Sequence, residues 1–219
     1  VHSEGNMFGA TKSIGSAVVV KTQGKDSSGA DSTDNVAYYE YLAVTNRHVV
    51  VTSSNRITKN LLVYLGNSNK LIQASVIDYS TKDDLALISF KSEIYIPAAS
   101  FADTTNLKRG SFVVAIGTPY DIVFDGSATF GIISYPLRYV EEEVFVFGGS
   151  SNQTCEVAYI QHDAAINSGN SGGGLFNMEG KLLGINTMKI ISSSSNFIEG
   201  MGFSIPIHVV KEVFKEYLK

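Results

Sequence analysis

Short runs of β-branched and aromatic residues recur along the whole chain, each closed by a cluster of Gly, Ser, Asn or Asp. Such residues suit the pleated, half-buried surface of a sheet, and the clusters supply the turns between strands. The pattern predicts an all-β sandwich or barrel rather than a succession of βαβ units. Strands are expected at Ser13 to Lys21, Val36 to Val44, Leu61 to Leu65, Leu71 to Tyr79 and Leu85 to Phe90. A second group is expected at Ser111 to Gly117, Ala128 to Tyr135, Glu143 to Phe147, Glu156 to Gln161, Lys181 to Met188 and Gly200 to Ile205. Between the groups lies a less patterned stretch, Ile96 to Gly110. The expected architecture is therefore two six-stranded antiparallel barrels, residues 1–100 and 101–219, joined by that linker. From Ile207 the period changes. Val209, Val210, Val213, Phe214 and Leu218 fall on one face of a helix that follows Pro206.

A chain of 219 residues that is 44% hydrophobic can bury one large core or two small ones. Its net charge of −4, with no run of Lys or Arg, argues against nucleic acid as a partner. The longest apolar stretches, such as Phe112 to Ile116, fall far short of the roughly 20 residues that cross a bilayer. Val1 opens the chain without a Met or a basic-then-apolar leader, so any targeting segment is expected to have been removed or not included. Cys155 is the only cysteine, which rules out an intrachain disulfide and a thiolate metal cluster. It is expected to be a small buried apolar residue. Neither metal nor cofactor is expected. Thr22 to Asn35 and the serine-rich Ile191 to Asn196 read as exposed loops.

Three segments carry chemistry. In Asp163-Ala164-Ala165-Ile166-Asn167-Ser168-Gly169-Asn170-Ser171-Gly172-Gly173-Gly174 a serine sits among glycines just after a strand. A serine hydroxyl is a weak nucleophile that needs an adjacent base, and donors that stabilise the oxyanion formed on attack. The glycines let successive N–H groups converge, so the Gly169, Asn170, Ser171 turn is the expected oxyanion site, with the Gly169 and Ser171 N–H groups as donors. In Val44-Thr45-Asn46-Arg47-His48-Val49-Val50 a histidine follows a hydrophobic strand, inside what reads as one short helical turn. In Asp83-Asp84-Leu85-Ala86-Leu87-Ile88 an aspartate heads a strand. Each has an ordinary structural reading: a Gly-rich turn, a packed histidine, a strand-end cap. Together they run His, Asp, Ser, the order of the chymotrypsin-like arrangement, whereas α/β-hydrolases run Ser, acid, His. His48 is then the general base, Asp84 the carboxylate that orients it, and Ser171 the nucleophile.

These segments, with Gly184-Ile185-Asn186-Thr187 and Gly202-Phe203-Ser204-Ile205-Pro206, resemble the protease domain of the HtrA/Deg family, in the family's order, from about Gly15 to the terminal helix. The resemblance implies a chymotrypsin-like double β-barrel and metal-independent serine endoproteolysis of unfolded or misfolded polypeptide. It also implies a homo-oligomer, often a trimer held by N-terminal segments, against which the short lead-in before Ser13 stands. The family usually follows its protease domain with PDZ domains; an end at Lys219 reads as an excised domain or a member without PDZ. Ser168 stands where the family commonly has proline, and Tyr135 to Thr154 is an acidic, aromatic, insertion-like stretch in the region that relays activation.

By position relative to Ser171, Ala165 lies at the base of the expected primary pocket, with Ile166 and Asn167 beside it and Asn186, Thr187 and Met188 forming a wall. No acidic residue sits at that base, so cleavage after small or medium apolar residues is expected. Glutamyl endopeptidases place a histidine near Asn186, and this chain does not; His162 and His208 are set aside as site residues. A resting domain used as a peptide-binding or chaperone-like module would carry the same residues. The absence of disulfides and the HtrA-like character point to a bacterial envelope, secreted or organellar setting.

Overall fold

The structure is a computed structural model that describes residues 2–3, 13–52, 54–66, 70–144, 153–187 and 200–219. In chain order its elements are β1 (His2–Ser3), β2 (Ser13–Ile14), β3 (Val18–Lys25), β4 (Tyr38–Asn46), a 3-10 turn (Arg47–Val50), β5 (Leu61–Leu65), β6 (Lys70–Ser80), β7 (Leu85–Ser92) and β8 (Phe112–Gly117). There follow a second 3-10 turn (Ile122–Phe124), β9 (Ser127–Val144), β10 (Gln153–His162), β11 (Gly174–Asn177), β12 (Leu182–Thr187), β13 (Gly202–Pro206) and helix α1 (Ile207–Val213).

The strands form two antiparallel units, as expected. The first is a seven-stranded sheet in the order β2-β1-β5-β6-β7-β4-β3, and the second is a closed six-stranded barrel in the order β10-β13-β12-β11-β8-β9. The expected count of six thus holds for the second unit. In the first, five long strands carry the sheet, and β1 and β2 add two residues each. The expected strand from Ser13 to Lys21 is divided, because Ser16 leaves the ladder and donates its N–H to the Ser171 carbonyl (2.7 Å). Strand β11 was not expected: four residues beginning at Gly174 give too short a pattern to read, yet they bridge β8 and β12. β9 is longer than expected. It runs through to Val144 and pairs with β10 as far as Gln153, past the point where β13 flanks β10. That extension explains Cys155, which is half-buried rather than sealed in a core, since it lies opposite Glu142 on this two-stranded ribbon. Expected strand residues 145–147, Met188 and the serine-rich 191–196 lie outside the described residues.

Alternation explains how one sequence serves two cores. Successive side chains of a strand point to opposite faces. On β4 and β7, Ala43, Ala86 and Ile88 pack with Val50, Leu61, Val63 and Phe90 inside the first unit. The intervening Val44, Leu85 and Leu87 face the other way, against Tyr159, Ile185, Phe203 and Ile205 of the second unit and Val210 and Phe214 of the C-terminal segment. The linker is stitched between the units: Ala99 donates to Val19 (2.9 Å), Leu182 to Ser100 (2.8 Å) and Ala102 to Leu182 (2.9 Å). Helix α1 is shorter than expected, but the chain continues in turns that keep Phe214 fully buried and bring the Tyr217 carbonyl to Lys21 Nζ (3.2 Å).

The barrel also seals a histidine. His162, on β10, is fully buried; its Nε2 lies 3.0 Å from Ser204 Oγ, and its Nδ1 has no hydrogen-bond partner among the described residues. Burial pushes its pKa down from 6.5 to about 4, against the weaker opposing pull of the Ala164 carbonyl and Asp163. Below pH 6.5 the unfolded chain takes up a proton that the folded chain declines until about pH 4, so this residue lowers stability as pH falls through that window. Urea unfolding at pH 7 and pH 5 should show a stability loss larger by roughly 2 kcal/mol in the wild type than in His162→Gln. Equal losses in the two proteins would contradict a neutral, sealed His162.

Candidate active site

Strand β4 ends in the fully buried Thr45 and Asn46, and the chain then closes the 3-10 turn Arg47–Val50. Val49 and Val50 point into the interior, which leaves His48 facing out with its side chain 39% exposed. Across from it, the turn between β6 and β7 ends at Asp84 in left-handed backbone, φ 52. That conformation costs a non-glycine residue about 1 kcal/mol or more and persists where the surroundings over-determine it. They do so here. The Asp84 carbonyl accepts from the Arg47 N–H (2.9 Å) and Asn46 Nδ2 (3.1 Å). Its Oδ1 accepts from the His48 backbone N–H (3.0 Å), and its Oδ2 lies 2.6 Å from His48 Nδ1. A carboxylate at Nδ1 makes that nitrogen the donor, so the neutral imidazole presents Nε2 as an acceptor toward the cleft.

The Ser171 turn lies between β10 and β11. Its approach is pinned to β9, where Asp163 Oδ1 accepts from the Ile132 N–H (2.6 Å). Within the turn, Asn170 N–H bonds the Asn167 carbonyl and Gly173 N–H the Asn170 carbonyl, both at 2.9 Å. The turn then docks on β12 through Gly172 N–H to the Asn186 carbonyl (2.9 Å) and Asn186 N–H to the Gly173 carbonyl (2.8 Å). Two glycines are required by backbone and by space together. Gly169 has φ 98, and a Cβ there would lie 2.2 Å from the Thr118 carbonyl; Gly172 has φ 86, and a Cβ would lie 2.1 Å from the Ser16 carbonyl and 2.2 Å from Thr45 Oγ1. This close approach sets the turn that carries Ser171 against the end of β4, from which His48 projects.

The structure therefore joins His48 to Asp84 directly and brings the Ser171 turn to the same seam between the two units. Ser171 itself is 5% exposed. Of the expected pocket residues, Ala165 and Asn167 are exposed and Ile166 is buried; the Ala165 carbonyl accepts from Thr129 Oγ1 (2.9 Å). Asn186 and Thr187 are buried on β12, and the Asn186 side chain turns inward, donating to the Gly174 carbonyl (3.0 Å) and accepting from Ser204 Oγ (2.8 Å). Met188 lies outside the described residues. His208 is exposed on α1 beside Thr104.

A Ser–His pair inside the barrel, Ser204 with His162, is of a different kind from the His48–Asp84 arrangement. Both residues are fully buried, His162 has no carboxylate on Nδ1, and the Ser204 hydroxyl is spent on Asn186. The residues that sequence reading missed are Ser16, Thr45 and Asn46, which hold the seam through partners distant in the chain. Ser16 alone bonds across 153 residues to Gly169. No group of His, Cys, Asp and Glu among the described residues could hold a metal ion, and none of the described helices is long and apolar enough to cross a membrane.

Comparison with known proteins agrees with this geometry. Residues 15–185 match the trypsin-like peptidase domain. The chain is 36% identical over 206 residues to the serine protease Do-like HtrA of Lactococcus lactis subsp. lactis (strain IL1403), covering 93% of this chain and 44% of that protein. It is 35% identical over 176 residues to the serine protease Do-like HtrB of Bacillus subtilis (strain 168), covering 80% and 35%. It is 37% identical over 177 residues to a probable periplasmic serine endoprotease, DegP-like, of Buchnera aphidicola subsp. Schizaphis graminum (strain Sg), covering 81% and 33%. The chain thus spans less than half the length of these relatives. With most of its length matched to the domain model, and with HtrA-like serine proteases as its relatives, the chain belongs to the trypsin-like peptidase family.

Proposed function

We propose that the chain is a serine endopeptidase in which His48 is the general base, Asp84 its orienting carboxylate and Ser171 the nucleophile. The observation that carries the reading is the 2.6 Å contact of Asp84 with His48 Nδ1, at the seam where the Ser171 turn docks. In this reading residues 1–100 supply the base and its carboxylate, and residues 101–219 supply the nucleophile. His48 Nε2 takes the Ser171 proton as Oγ attacks the scissile carbonyl, and returns it to the leaving amine; a water then hydrolyses the acyl-enzyme by the same relay in reverse. The Asn170 N–H is committed to Asn167. Asn170 accordingly holds the turn, and the oxyanion donors are assigned to the Gly169 and Ser171 N–H groups.

The substrates proposed are extended or unfolded polypeptide segments cut after small or medium apolar residues, with Ala165, Ile166, Asn167 and Thr187 around the primary pocket. Supporting this are the small, uncharged Ala165 at its base and relatives described as serine endoproteases. The description of two relatives as periplasmic supports a site of action outside the cytoplasm.

Incubation with unfolded casein should give fragments whose new C-termini are Ala, Val, Ile or Leu, and Ser171→Ala should give none. Cleavage that survives in Ser171→Ala would remove Ser171 from the mechanism, and a folded wild type that cuts nothing would make the domain a resting or peptide-binding module. Asp84→Asn should lower kcat by roughly 10⁴-fold, because His48 would lose its required tautomer. A loss under tenfold would mean that the carboxylate does not orient the base.

A further inference from the structure

We propose that the Ser16 hydroxyl positions the oxyanion side of the site, an inference that rests on reading Ser171 as the nucleophile. Ser16 lies between β2 and β3 and is 6% exposed. Its N–H and hydroxyl are committed across the seam, and its carbonyl is held within its own unit. Its N–H donates to the Ser171 carbonyl (2.7 Å) and its Oγ–H to the Gly169 carbonyl (2.8 Å). Oγ also accepts from the Thr118 N–H (2.8 Å), while the Ser16 carbonyl accepts from Thr45 Oγ1 (2.6 Å).

A peptide unit is planar and trans, so holding one residue's carbonyl sets the opposite direction of the next residue's N–H. Tyr120 N–H holds the Ser168 carbonyl (2.6 Å), which aims the Gly169 N–H to the other side. Ser16 holds the next peptide through the Gly169 carbonyl, and it also holds Thr118, two residues before Tyr120, in place. One hydroxyl thereby restrains the turn from both flanks. Gly169, at φ 98, has no Cβ of its own to resist rotation of these planes, so hydrogen bonds must supply the restraint. Without the hydroxyl, the Gly169 carbonyl and the Thr118 N–H lose their shared partner together.

The oxyanion exists only after attack, so misaligned donors weaken the transition state and spare substrate binding. The effect belongs in kcat. Two variants of the full chain test this: Ser16→Ala removes the hydroxyl, and Ser16→Cys keeps a side chain of similar size with only a weak S–H donor. Each should lower kcat on a peptide substrate about 10- to 100-fold with KM within about twofold. Each should also weaken a peptide boronate, whose tetrahedral adduct uses the same donors, by a similar factor. Wild-type kcat in either folded variant, a loss confined to KM, or failure of both variants to fold overturns the positioning role. A wild type without turnover overturns the Ser171 reading and this role with it, whereas an active wild type matched by both variants overturns the Ser16 role alone.

Discussion

The site depends on Asp84 being held in a backbone conformation it would not choose. Four hydrogen bonds converge on this residue, two on its carbonyl and two on its carboxylate, and all come from Asn46, Arg47 and His48. Each of those partners is fixed in turn by the register of β4 against β7, in which Asn46 lies opposite Leu85. A slip of one residue would exchange the two packed faces of β7 and carry Asp84 away from Asn46, Arg47 and His48. The aspartate's unfavourable φ is thus sustained by the same ladder that buries Leu85, Ala86, Leu87 and Ile88. The packing energy of those four residues exceeds the local strain several-fold.

This arrangement ties the chemistry to the joint between the two units rather than to either alone. β7 is apolar on both faces because one face fills the first unit's interior and the other packs on the second unit and the C-terminal segment. The turn bearing Ser171 reaches the seam from the other side, through Gly172, which approaches Ser16 and Thr45 more closely than any side chain would permit. The proposed base and nucleophile therefore stand on turns of separate sheets whose contact is a shared core. Relative motion of the units would disturb a buried apolar interface before it could separate the two groups, which favours a pre-aligned site.

Much of this was legible in the sequence, for identifiable reasons. His48, Asp84 and Ser171 stand in short segments whose residue types are informative locally: a histidine after an apolar strand, an acid at a strand head, a serine among glycines. The two-unit β architecture followed from the spacing of apolar runs. What stayed hidden depends on contacts between distant positions. Ser16 looks like any serine next to a glycine, and its importance lies in Gly169 and Thr118, 153 and 102 residues away. β11 was too short to show a period, and the ribbon of β9 and β10 beyond the barrel looked like an insertion because Tyr135 to Thr154 is acidic and aromatic, while its pairing partner and the burial of Val157 depend on distant positions. Asn186 was expected on a pocket wall from its position relative to Ser171. Its side chain instead faces the interior, since strand alternation on β12 pairs it with Ser204.

Ser204 is paired with a histidine sealed within the barrel, whereas the Ser171 turn lies at the seam near His48, which is backed by the Asp84 carboxylate. Mass-spectrometric mapping of the folded chain after reaction with a fluorophosphonate separates them most directly. A single adduct is expected on the peptide that contains Ser171, lost when His48 is replaced by alanine. An adduct on Ser204, or labelling of Ser171 that persists unchanged without His48, would contradict it.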